Sequence, residues 1–128
     1  MTLIDWKRNN KVCLRNFSES QDLHDVVKTL LVRMLRRKHP DNQSCQIYTE
    51  LNIDDRNENY PDIQMLLKRW KKPSEIYVYE IQKEWTENWE LKQAKKYEDV
   101  NLIVVKLDRF KDNMTIEKIK SLLSGYVV

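Results

Sequence analysis

The chain has 128 residues, 41% apolar and 34% charged, enough for one compact domain with a single core and too few for two ordinary ones. Its 23 basic and 20 acidic side chains leave a formal net charge of +3, which neither demands a polyanionic partner nor excludes one. The only glycine is Gly125, so a glycine-rich phosphate cradle is excluded. No apolar run approaches the roughly 20 residues that span a bilayer, and the N-terminal MTLIDWKRNN lacks an apolar leader, so a soluble, cytoplasmic protein is expected, with no membrane partner.

From Ser18 to about Lys38, Leu23, Val26, Val27, Leu30, Leu31, Met34 and Leu35 recur at helical spacing and predict an amphipathic helix. Ser18 and Gln21 have the spacing of a capping box, while Arg33, Arg36, Arg37 and Lys38 crowd the last turn, where positive charge suits the helix dipole. Three strands are predicted next, at Cys45–Ile53, Asp62–Leu67 and Glu75–Gln82. They are rich in Ile, Tyr, Val and Leu, are separated by polar runs, and read as an antiparallel meander. Thr86–Glu98 reads as a second helix, Leu102–Val105 as a buried strand and Thr115–Leu123 as a closing helix. The strand-helix-strand segment from Glu75 to Val105 implies parallel neighbours joined by a right-handed crossover. The expected architecture is therefore a single mixed α/β domain over residues 1–128, with element order αβββαβα and a mixed four-stranded sheet flanked by helices.

Chemistry concentrates on two of the strands. Alternation puts Glu80 and Gln82 on one face of the third strand and Tyr79, Ile81 and Lys83 on the other. Asp62 opens the preceding strand, and a hairpin folds its carboxylate back beside that of Glu80. Two carboxylates on adjacent strands suit a hard cation such as Mg²⁺ or Mn²⁺, which neutralises charge on a scissile phosphate and activates water. Cys13 and Cys45 read as reduced thiols, and a zinc site built from them with His24 and His39 matches no zinc spacing.

Two further clusters stand out. Lys68-Arg69-Trp70-Lys71-Lys72, between the second and third strands, interleaves cations with an indole, a composition suited to phosphate contact and base stacking or to a solvated turn. Trp85 and Trp89 share a face at the start of the second helix with Lys92 and Lys96 and suit a core or a homodimer interface. Glu50 falls on the solvent side of its strand by alternation.

Pro61-Asp62, followed by Glu80-Ile81-Gln82, a helix and a strand, resembles the PD-(D/E)XK superfamily of restriction-endonuclease-like and Holliday-junction-resolvase-like nucleases. The resemblance spans Ser18 to about Phe110. It implies a metal-dependent nuclease acting on duplex or branched DNA, with Mg²⁺ or Mn²⁺ held by Asp62, Glu80 and the backbone carbonyl of Ile81. The family's lysine is replaced by Gln82, which positions water by hydrogen bonding but carries no charge. The resemblance then points to a lysine of the following helix, Lys92 before Lys95 or Lys96, as the charge stabiliser. Glu19, His24 and Lys28 resemble the acid, histidine and lysine on the opening helix of some members. A homodimer would place two sites symmetrically for cutting both strands. The alternative to an enzyme is a decayed module of the same fold that binds nucleic acid or a protein.

Overall fold

The computed structural model describes residues 12, 14, 18–50, 61–111 and 113–128. Helix α1 spans Asp22–Lys38, preceded by a 3₁₀ turn at Glu19–Gln21. Strands β1 (Cys45–Thr49), β2 (Ile63–Leu67) and β3 (Glu75–Gln82) follow, then α2 (Glu87–Lys96), β4 (Asn101–Lys106) and α3 (Ile116–Leu123). The sheet order is β1-β2-β3-β4, with β1, β2 and β3 antiparallel and β4 parallel to β3. The mixed α/β architecture and the meander followed by a parallel strand match the expectation from sequence. The part of the first predicted strand beyond Glu50 lies outside the described residues.

The helix termini follow local chemistry. Thr86 accepts from the Trp89 N–H at 3.1 Å and Thr115 from the Lys118 N–H at 3.2 Å, each satisfying an orphan donor at a helix start. The capping box anticipated at Ser18 is not made, because the 3₁₀ turn intervenes and the Ser18 hydroxyl lies 3.0 Å from that of Ser20 instead. At the other end of α1, the Arg36 guanidinium donates to the carbonyls of His39 at 3.0 Å and Cys45 at 2.9 Å. This fastens the helix to the start of β1.

The main core lies between α1, α3 and the sheet face carrying Ile47, Ile63, Met65, Tyr79 and Ile81. Tyr79 is fully buried and its hydroxyl donates to the Tyr126 carbonyl at 2.8 Å, tying β3 to the turn after α3. Desolvation pushes this phenol well above its ordinary range. The apolar stripe of α1 is rotated from the one its spacing suggests: Val27, Leu31, Val32 and Leu35 are buried, whereas Val26 is 42% exposed. Lys28 falls on the same buried ridge and is 1% exposed. Among the described residues no helix is long and apolar enough to cross a membrane.

Candidate functional site

The strand registers assemble the site. Thr49, Ile63 and Tyr79 form one row across β1, β2 and β3. Carried one residue further towards that end of the sheet, the same registers bring Glu50, Asp62 and Glu80 into a row. The three carboxylates therefore lie at the same end of the sheet. They line a cavity of about 430 Å³, together with His24 and Lys28 from α1 and Ile81, Gln82 and Lys83 from the end of β3.

Each acid has its own anchor. Asp62 Oδ2 accepts from the Ile81 N–H at 2.7 Å, and Oδ1 lies 3.2 Å from His24 Nε2. His24 Nδ1 is 3.3 Å from Asp25 Oδ1. The hydrogen bond to Asp62 raises the pKa of His24 above its ordinary value, against the opposing effect of burial. The shift is towards the form that donates from both nitrogens, and the contact holds Asp62 in one orientation.

Glu80 accepts from the Tyr97 hydroxyl at 3.0 Å. Burial, and then repulsion from Asp62, pushes Glu80 up to about 8, while the Tyr97 hydrogen bond and the charge of Lys96 act in the opposite direction. The carboxyl thus retains its proton at neutral pH unless positive charge arrives.

Glu50 corrects the sequence-based expectation of a solvent-facing residue. β1 ends at Thr49, and Glu50 adopts a left-handed backbone with φ 52°, so strand alternation no longer governs its direction. Its Oε1 accepts from Lys28 Nζ at 3.0 Å, with the two side chains 11% and 1% exposed. The signal available in sequence was Lys28 itself: a lysine on the apolar ridge of a helix requires a buried acid. Tyr97 was also missed. It sits at the C-terminal cap of α2, where its hydroxyl reaches the sheet.

Other expected residues fall elsewhere. Lys92 is exposed on α2 and does not line the cavity, so the charge stabiliser expected there is not at the site. Lys96 does not line it either, although its charge reaches Glu80. Lys83 does line it, because β3 ends at Gln82 and the alternation that would turn Lys83 away stops there. Gln82 Nε2 donates to the Glu84 carbonyl at 2.8 Å, steadying the turn that carries Lys83. Glu19 is exposed and lines a neighbouring cavity floored by Leu23, Leu107 and Phe110. Trp85 is half buried beneath Lys106, whose Nζ lies 3.8 Å from the ring centroid, and Trp89 is half buried on α2.

The donor chemistry fits a hard divalent cation. Among the described residues no group of three histidine, cysteine or carboxylate side chains stands ready as a complete metal shell. Mg²⁺ nevertheless keeps several waters and takes one or two carboxylates, and Asp62 and Glu80 supply that number. The pKa of Glu80 is raised by burial first and by the neighbouring Asp62 second. A zinc set fails on geometry. Cys45 is buried in the core, its thiol pushed up by desolvation, and His39 is bonded to the Val128 carbonyl at 2.7 Å. His24 and His39 stand at opposite ends of α1, roughly 20 Å apart at 1.5 Å per residue. Cys13 lies outside the described residues.

At the opposite end of the β2–β3 hairpin, Lys68 to Lys72 form the connecting turn. Trp70 is 87% exposed. Arg69 Nε is 3.2 Å from Glu75 Oε1, and Tyr77 donates its hydroxyl to the other oxygen of Glu75, so Arg69 braces the neck of the hairpin. No protein-family model matches the chain, and neither a curated protein nor a solved structure does.

Proposed function

We propose that the chain is a Mg²⁺- or Mn²⁺-dependent nuclease that hydrolyses DNA phosphodiester bonds, on a restriction-endonuclease-like fold. The observation that carries this reading is the facing pair Asp62 and Glu80 at the rim of β2 and β3, in a cavity that also holds fixed cations. When bound, the divalent ion supplies Lewis acidity and an acidified water.

The chain's own residues do the rest. His24 and the Ile81 N–H fix both oxygens of Asp62, so its direction is set before any ligand arrives. Tyr97 orients Glu80. Lys28 holds Glu50 in the same row and keeps a buried positive charge among the acids. Lys83, the exposed cation at the cavity, takes the role expected of a lysine at position 82 or 92: it meets the phosphate oxygens and stabilises the charge that grows on them. Gln82 steadies the turn bearing it.

A second reading has its own observation. Lys28 and His24 already bring two basic groups to Glu50 and Asp62, which is how a decayed site that no longer takes a metal would balance its acids. Calorimetric titration of Mn²⁺ into the wild type and Asp62→Ala, paired with incubation on labelled linear, single-stranded and branched DNA, separates the two. Metal binding and cleavage by the wild type, both lost in Asp62→Ala, support the nuclease. Absence of Mn²⁺ binding selects the decayed module.

A further inference from the structure

Among the described residues Trp70 is by a wide margin the most exposed of the large apolar side chains, at 87%, against 69% for the next, Leu91. Solvating an indole on a hairpin tip is unfavourable, and nothing in the fold requires it there. The turn geometry also holds it out. The Lys72 N–H donates to the Arg69 carbonyl at 3.2 Å, closing a four-residue turn with Trp70 and Lys71 in the middle. Lys71 has φ 58° and Trp70 has a negative φ, the pattern of a type II turn whose third position ordinarily takes glycine. A lysine occupies this strained place, and both it and the indole are exposed. The Arg69–Glu75–Tyr77 brace stiffens the neck below.

The surroundings are cationic. Among the described residues no carboxylate pairs with Lys68, Lys71 or Lys72. A depression of about 410 Å³ at the hairpin base is lined by Lys38, His39, Lys68 and Arg69, extending the positive surface towards the end of α1. An exposed indole in a connection that also carries the exposed Lys68, Lys71 and Lys72 matches a nucleic acid that offers an unstacked base face beside phosphates. A continuous duplex offers no such face, because its bases are stacked and its edges lie in grooves.

We infer that the β2–β3 hairpin recognises DNA where the duplex is interrupted, by stacking Trp70 on an unpaired base while Lys68, Lys71 and Lys72 hold the flanking phosphates. The choice of DNA as the polyanion rests on the nuclease reading above; the aromatic-cationic surface itself does not.

The test is fluorescence anisotropy in EDTA, where cleavage plays no part, with a labelled duplex carrying a single-stranded extension and the same duplex with blunt ends. Wild type, Trp70→Ala and Trp70→Phe are compared. Trp70 is solvent-exposed, so equal melting temperatures will verify that the variants fold. Stacking on one base corresponds to roughly a 5- to 100-fold effect on affinity, so Trp70→Ala should bind the extended duplex about tenfold or more weakly. Its binding to the blunt duplex should change less than about twofold, and Trp70→Phe should retain most of the affinity for the extended duplex. Equal binding of the extended duplex by wild type and Trp70→Ala overturns the inference. So does an equal loss on both duplexes, or binding to anionic vesicles with none to either DNA. If Asp62→Ala and wild type both fail to cut while Trp70→Ala still loses the extended duplex, the nuclease reading falls and the hairpin inference stands.

Discussion

Replacing Glu80 by Gln tests the electrostatics of the cavity without any assumption about substrate. The folded protein keeps the Glu80 proton up to about pH 8, whereas the unfolded chain releases it near the ordinary value of 4.5. Between those values the folded state binds more protons, so wild-type stability falls as pH rises through the window and levels off above it. The separation corresponds to at most about 5 kcal/mol, and some of that belongs to repulsion from Asp62 and is shared with it. Glutamine keeps the shape, its carbonyl can still accept from Tyr97, and it cannot ionise. Urea denaturation at pH 5, 7 and 9 should therefore show Glu80→Gln close to wild type at pH 5 and more stable than wild type at pH 9, by roughly 2–5 kcal/mol. Millimolar Mn²⁺ at pH 9 should restore wild-type stability and leave the variant nearly unchanged. Parallel pH profiles for the two proteins would refute the assignment of Glu80 as a desolvated acid repelled by Asp62.

Three other outcomes follow from the geometry. Lys28→Met should destabilise by about 3–5 kcal/mol because it removes the buried ammonium that Glu50 bonds at 3.0 Å, and Lys28→Met with Glu50→Gln should regain most of that loss in the same urea titration. In the proposed reaction Lys83→Ala should slow cleavage about 100- to 1,000-fold in single-turnover assays, whereas Lys92→Ala should stay within about twofold, since Lys83 lines the cavity and Lys92 does not. The strand from the acid row to the hairpin neck covers roughly 17 Å, at about 3.4 Å per residue. On DNA rising about 3.4 Å per base pair, cuts mapped on a sequencing gel should fall about five to seven nucleotides from the duplex interruption.

The elements were legible because their periodicity is clean. β3 runs from Glu75 to Gln82 as the alternation predicts, and α2 and α3 fall within their predicted spans, while β4 extends one residue beyond its predicted run at each end. Asp62 and Glu80 could be paired from sequence because one hairpin links them. The partners that complete the site were harder to see. Glu50 reaches the cavity through a left-handed backbone that no local signal marks, since glycine does not stand there. Lys83 arrives because alternation ends one residue earlier, and Lys92 lies exposed on α2 without lining the cavity. Each of these depends on where a strand stops or how a helix is rotated, and boundaries and rotations are set by packing partners distant in sequence.

Glu50 and Lys71 both hold left-handed backbones, at φ 52° and 58°, in a chain whose single glycine is used elsewhere. For a residue with a side chain, that conformation costs roughly 1–2 kcal/mol, which glycine would largely avoid. Among the described residues these are the two side-chain-bearing positions where relief of backbone strain would remove a charged group. A library selected only for heat resistance would drift towards Lys71→Gly, trading away a tip ammonium. The same selection at position 50 would meet resistance, because that carboxylate accepts from the buried Lys28 ammonium at 3.0 Å. One of the two strained side chains thus faces solvent, and the other is held inside the fold by Lys28.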